Sequence, residues 1–212
     1  MRLARAEGRA KGPLENVPAA RALCRAAIVL LSSRIEGYVE DLAEVISFRV
    51  VDRQVSKQSL SPRLLYYCSK DIIDHIRETK DPDRVAEKIA TLFRRDQDVW
   101  SDGESFSEEL PFERIVSGFS TPRFEEIRKF IARFGYEDYR KDLAGELRAD
   151  YLPCVNMVDN VVEQRNKIAH GNVGASATAA DVRSMLELVQ VFCRATDVVV
   201  GNWFRGLGCP IR

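Results

Sequence analysis

Apolar residues recur at Ile28, Leu31, Ile35, Tyr38, Leu42 and Val45, at spacings of 3, 4, 3, 4 and 3. No other feature constrains the fold as much. A period near 3.6 sets all six side chains on one stripe of an α-helix, whereas a strand would need strict alternation. The stripe predicts one long amphipathic helix from about Ala19 to about Arg53. Phe48, Val50, Val51 and Val55 would tolerate a strand, but no partner run alternates with them, so a helix followed by a loop is expected.

Helix signals continue along the chain. Ser61-Pro62 and Asp81-Pro82 each put a capping side chain before a proline suited to the first helical position. They predict helices over residues 62–78 and 82–98, with an acidic, glycine-containing loop over 101–111. Thr121-Pro122 opens another helix that ends near Phe134-Gly135, and a shorter one covers about 137–148. Pro153 falls in the first turn of the next helix, whose stripe is Cys154, Val158, Val161, Arg165 and Ile168. Gly171 stops it and begins a small-residue loop over 171–177. Thr178 and Asp181 form a capping-box variant for the last helix, striped at Val182, Met185, Val189, Phe192, Thr196 and Val199. Gly201 precedes a tail in which Trp203 and Phe204 pack back on the core. The fold class is all-α, in a single domain over residues 1–212 with a flexible segment at 1–18.

Composition narrows the function. The 212 residues are 45% hydrophobic and 30% charged, enough apolar material for one core and too much for a disordered chain. The longest uninterrupted apolar run is six residues, from Ala26 to Leu31, far short of the ~20 needed to span a bilayer. Arg2, Arg5 and Arg9 are not followed by an apolar stretch, so a secretory signal is not expected, nor is a membrane partner. Cys24, Cys68, Cys154, Cys193 and Cys209 are scattered and odd in number. A disulfide framework and a zinc site are therefore unsupported, no metal or cofactor is expected, and the cytoplasm is the default location. A formal net charge of zero argues against coating nucleic acid by bulk electrostatics. Residues 96–126 nonetheless carry nine acids against Arg114 and Arg123, and residues 1–34 carry seven basic groups against two acids. Such runs read as solvated faces, or as an acidic region and a basic approach surface for nucleic acid.

The segment richest in chemistry reads R-N-x-x-x-H-G, from Arg165 and Asn166 to His170 and Gly171. A helix end alone would favour Lys167 and His170 in the last turn and a glycine after them. Asn166 and His170, however, are four apart and share a face, so the amide can orient the imidazole. Arg165 lies about 140° from His170 on the wheel, and only its long side chain could return the guanidinium to the same place. It also interrupts an apolar stripe, where a charge must be paired or face a cleft. His75, on a separate helix, is expected to be structural or superficial.

R-N-x-x-x-H-G at the end of a late helix resembles the R-x(4–6)-H signature of HEPN domains. The first long helix, Ile28-Val-Leu-Leu-Ser-Ser-Arg-Ile-Glu-Gly-Tyr-Val-Glu-Asp-Leu42, resembles the opening helix of prokaryotic HEPN nucleases of defence and toxin–antitoxin type. The likeness covers about residues 20–50 and 150–200. It implies a HEPN-like helical bundle in which about 55–150 is a helical insertion between the core helix pairs. It also implies a metal-independent endoribonuclease, a toxin or anti-phage effector, in which a ribose 2′-hydroxyl attacks the adjacent phosphate. Arg165, His170 and Asn166 would be catalytic and Glu36 would support Arg165. Lys167, Arg34 and Arg25 would bind RNA. The partners implied are an RNA substrate, a second copy in a homodimer, and an antitoxin or regulatory protein. Two other readings stay open: a HEPN-like module that binds RNA or a nucleotide without cutting it, and a helical scaffold that docks a partner protein.

Overall fold

The computed structural model describes residues 18–172 and 177–207, and all regular structure among them is helical. The N-terminal segment, most of the expected loop at 171–177, and Cys209 lie outside the described residues. Helix α1 spans Pro18–Asp52, 35 residues, and absorbs the stretch around Phe48 and Val50 that could have been a strand. It ends at Gln54, whose φ of 52° is left-handed. Gln54 and Val55 donate backbone N–H groups to Val51 and Val50, both at 3.0 Å, closing the helix in the manner a glycine usually provides. The strain at a non-glycine residue is offset by its side chain. Gln54 Nε2 donates to the carbonyls of Val51 (3.0 Å) and Phe106 (3.2 Å), while Oε1 accepts from Ser105 Oγ at 2.7 Å.

Then follow α2 (Pro62–Cys68), α3 (Lys70–Glu78), α4 (Pro82–Arg95), α5 (Gln97–Trp100), α6 (Phe112–Val116), α7 (Phe124–Ile131), α8 (Tyr139–Leu147), α9 (Tyr151–Ala169) and α10 (Ala179–Gly206). Both expected serine and aspartate caps form, at Ser61 and Asp81, but the helices they open are shorter than expected. The first breaks at Ser69 and the second at Asp96, and these two residues lie together in a buried polar cluster. Asp96, 2% exposed, accepts from Arg95 (3.0 and 2.9 Å) and Arg114 (2.8 Å). Burial pushes its carboxyl up, but the hydrogen bonds from Arg95, Ser69 and Arg114 together hold it below the usual carboxylate range. Trp100 Nε1 donates to Ser69 Oγ at 2.9 Å. Asp98 in turn accepts from the N–H groups of Ser107 and Glu108 and orders the acidic loop. The acidic run is thus part core and part scaffold.

The chain gathers into two compact units. The first comprises residues up to Val39, Ser120–Ile127 and Lys141–Asp197. Its core takes Ile28, Leu31 and Ile35 from α1, Phe124 and Ile127 from α7, the valines of α9, and Met185, Val189 and Phe192 from α10. Tyr38 donates its hydroxyl to Asp197 Oδ1 at 2.7 Å, fastening α1 to α10. The expected start of α7 at Pro122 moves to Phe124, because Asp159 on α9 supplies the cap and accepts the Phe124 N–H at 2.8 Å.

The second unit comprises Glu40–Phe119, Arg128–Arg140 and the residues from Val198. Its largest buried groups include Phe106, Phe130, Phe134, Tyr139 and Phe204. Gly135, with φ of 106°, ends the turn after α7, and a Cβ there would come within 3.2 Å of Ser61. The expected break at Gly201 does not occur. α10 runs through it to Gly206, and Trp203 stacks flat on Tyr136 with centroids 5.0 Å apart.

Candidate active site

α9 carries R-N-x-x-x-H-G. Its buried residues are Cys154, Val155, Val158, Val161 and Val162, a stripe that ends one turn before Arg165. Arg165 is exposed and Ile168 half-buried, so the charge lies beyond the apolar stripe rather than within it. Water solvates the guanidinium there, and no buried counter-ion is needed. Arg165 Nη1 donates to Asn166 Oδ1 at 3.1 Å. Asn166 is about 100° round the helix from Arg165 and about 40° from His170. The bond therefore draws the guanidinium toward the side of the helix that carries His170. The Asn166 side-chain oxygen Oδ1 thus serves Arg165, where the sequence suggests that the amide orients the imidazole.

His170 is the C-cap of α9 and is exposed. Its N–H donates to the Asn166 carbonyl at 3.0 Å. Gly171, with φ of 71°, donates to Ile168 at 3.1 Å, and Asn172 donates to Lys167 at 3.0 Å. This nested pair is the Schellman closure, which needs a residue tolerant of left-handed backbone. It fixes the direction in which the chain leaves and presents the imidazole at the helix end. Lys167 reaches back one turn to Glu163 Oε1 at 2.6 Å, and its hydrogen bond holds the Glu163 carboxyl below its ordinary value. Its charge is already partnered within the helix.

The residues expected from α1 fall in different places. Arg25 is half-buried, and its Nη1 donates to the Asn172 carbonyl at 3.2 Å, immediately beyond the motif. Arg34 lies nine residues on, half a turn round the same helix. It is exposed and lines a shallow groove between α1 and α10 with Leu31, Ile35, Leu186 and Val189. Glu36 is half-buried on α1, and the side-chain bond of Arg165 goes to Asn166. His75 is exposed on α3 and belongs to the other unit.

Two contributors have no local sequence signal. Asn172 acts through its backbone carbonyl, which any residue would supply, and Asp159 caps a helix 35 residues away. Only the tertiary fold shows either role. Among the described residues no group of three or more His, Cys, Asp or Glu side chains is placed to hold a metal ion. No helix among them is long and apolar enough to cross a membrane.

No curated protein and no solved structure matches the chain. The sequence model of the RiboL-PSP-HEPN family does match it, over residues 8–202. That span contains the motif and all the described helices apart from the last turn of α10, and so the chain belongs to the RiboL-PSP-HEPN family of the HEPN superfamily.

Proposed function

We propose that the protein is an endoribonuclease that cuts RNA by attack of a ribose 2′-hydroxyl on the adjacent phosphate. We infer further that it serves as a toxin or anti-phage effector restrained by a protein partner. HEPN domains form a family of ribonucleases. The observation that carries the reading here is the placement of Arg165 and His170. Both reach solvent at the same end of α9, and the Asn166 bond turns the guanidinium toward the histidine.

The chemistry suits these groups. The 2′-oxygen bonds to phosphorus as the bond from phosphorus to the 5′-oxygen breaks, leaving a 2′,3′-cyclic phosphate and a 5′-hydroxyl. The His170 imidazole can take the 2′-hydroxyl proton. A guanidinium fork can bind two non-bridging oxygens and offset the charge that builds on them. The Asn166 carboxamide nitrogen can donate to a phosphate oxygen. An internal nucleophile removes the requirement for a metal-activated water. Arg25 would meet RNA beside the motif, Lys167 would do so on leaving Glu163, and Arg34 and Glu36 would take part from α1. The 5′-oxygen must also be protonated as it leaves. A second copy of the chain, related by a twofold axis, would bring the partner's His170 for that step.

The test is incubation of the purified protein with RNA and with DNA in EDTA. RNA alone should be cut, leaving cyclic phosphate ends. His170→Ala and Arg165→Ala should each slow cleavage by at least ~100-fold. DNA cleavage, or activity lost to chelation, rules out the mechanism. RNA binding without cleavage by the wild-type protein, abolished by Arg165→Ala and untouched by His170→Ala, identifies a binding module instead.

A further inference from the structure

We propose that Arg25 is a positioning residue: by donating to the Asn172 carbonyl it ties the turn that ends α9, and with it His170, to α1. The kinetic consequence rests on the ribonuclease reading, but the tether itself does not.

A side chain at a helix C-terminus is poorly located by default. The last carbonyls have no intrahelical donors, and the final turn frays. At α9 the closure consists of three backbone bonds, from His170, Gly171 and Asn172, all made within the same short segment. None of them fixes the turn against the rest of the molecule. The guanidinium of Arg25 does so from 147 residues away in sequence, at 3.2 Å. Its position on α1 suits the task. Cys24 and Ile28 on either side of it are buried, so its Cα is held by the packed part of the helix. The residue is itself half-buried, while the bond it makes faces solvent. Asn172 is the residue whose N–H completes the Schellman closure with Lys167, at 3.0 Å. A bond to its carbonyl therefore holds the second main-chain polar group of the same residue, two beyond the imidazole. Proton transfer is steep in distance and angle, so loosening the turn should lower turnover more than RNA affinity.

Arg25→Ala and Arg25→Lys test the idea through two measurements. The first is hydrogen–deuterium exchange over residues 168–172, with residues 62–68 of the other unit as the control. Both variants should exchange faster at 168–172 and be unchanged at 62–68, because a lysine ammonium lacks the planar fork and the reach. The second is cleavage kinetics. Arg25→Ala should lower kcat ~10-fold with KM moved less than about twofold, and Arg25→Lys should recover little of the loss. If Arg25→Ala proves unstable, shown by faster exchange at 62–68 as well, Arg25→Lys carries the same two readouts. Wild-type exchange at 168–172 in both variants overturns the tether, whether or not RNA is cut. A raised KM with unchanged kcat, restored by lysine, makes Arg25 a phosphate contact and overturns the positioning role. Faster exchange in the variants of a protein that cuts no RNA supports the tether and counts against the ribonuclease reading alone.

Discussion

Asp96 illustrates how much can depend on one charged residue. Its carboxylate is buried, while its partners Arg95 and Arg114 keep 36% and 26% of their side chains in solvent. Removing the acid leaves two guanidiniums turned inward, although Arg95 still has Asp71 at 2.6 and 2.9 Å. Asp96→Asn should therefore cost about 3 kcal/mol, the lower end of the range for breaking a buried pair. The acid's folded-state pKa lies below its unfolded value. Its contribution is therefore complete above the unfolded value, about pH 4, and is lost as pH falls through the lower folded value. Urea midpoints at pH 7 and pH 3 check this: the gap between wild type and Asp96→Asn should narrow on acidification. A constant gap would mean that the carboxylate's charge contributes nothing. The candidate site differs in this respect, since Arg165 and His170 are exposed and their replacement should leave the same midpoints almost unmoved.

Glycines at the element scale show why a residue's meaning depends on what surrounds it. Gly171 and Gly135 have positive φ and end helices, as their positions suggest. Gly201 does neither. It lies inside α10, is buried, and has nothing within 4 Å of where a Cβ would be. Gly201→Ala should stabilise the protein by up to about 1 kcal/mol, the usual helix-interior difference. A rise in the urea midpoint checks it, and a fall would mean that the added Cβ meets a clash at this position. The same contrast separates what was readable in the sequence from what was not. Period, proline placement and capping residues are local, so α1, α9, the Thr178–Asp181 box and the Gly171 stop could be read directly. The breaks at Ser69 and Asp96 answer to each other across the fold, and the start of α7 answers to Asp159. No window of neighbouring residues contains that information. The motif was legible as letters, whereas the turn of Arg165 toward Asn166 and the grip of Arg25 on Asn172 required coordinates.

For the whole molecule, the proposed dimer makes a quantitative expectation. If each cleavage needs one His170 from each of two copies, heterodimers of wild-type and His170→Ala chains are crippled. Activity after subunit exchange should then fall below the fraction of wild-type chains. Strict proportionality, with sedimentation as a monomer at assay concentration, would overturn the composite site. The connectivity carries a different consequence. The chain passes between its two units at residues 39–40, 119–120, 127–128, 140–141 and 197–198, and four of these crossings fall inside helices. α10 delivers Met185, Val189 and Phe192 to one core and Val199, Val200 and Phe204 to the other. Neither half can be deleted, duplicated or exchanged as a module without cutting a helix. During synthesis, which releases the N-terminal residues first, both cores lack their final helix until α10 has emerged. A nascent chain that has already exposed Arg165 and His170 is thus still without the packing that holds them.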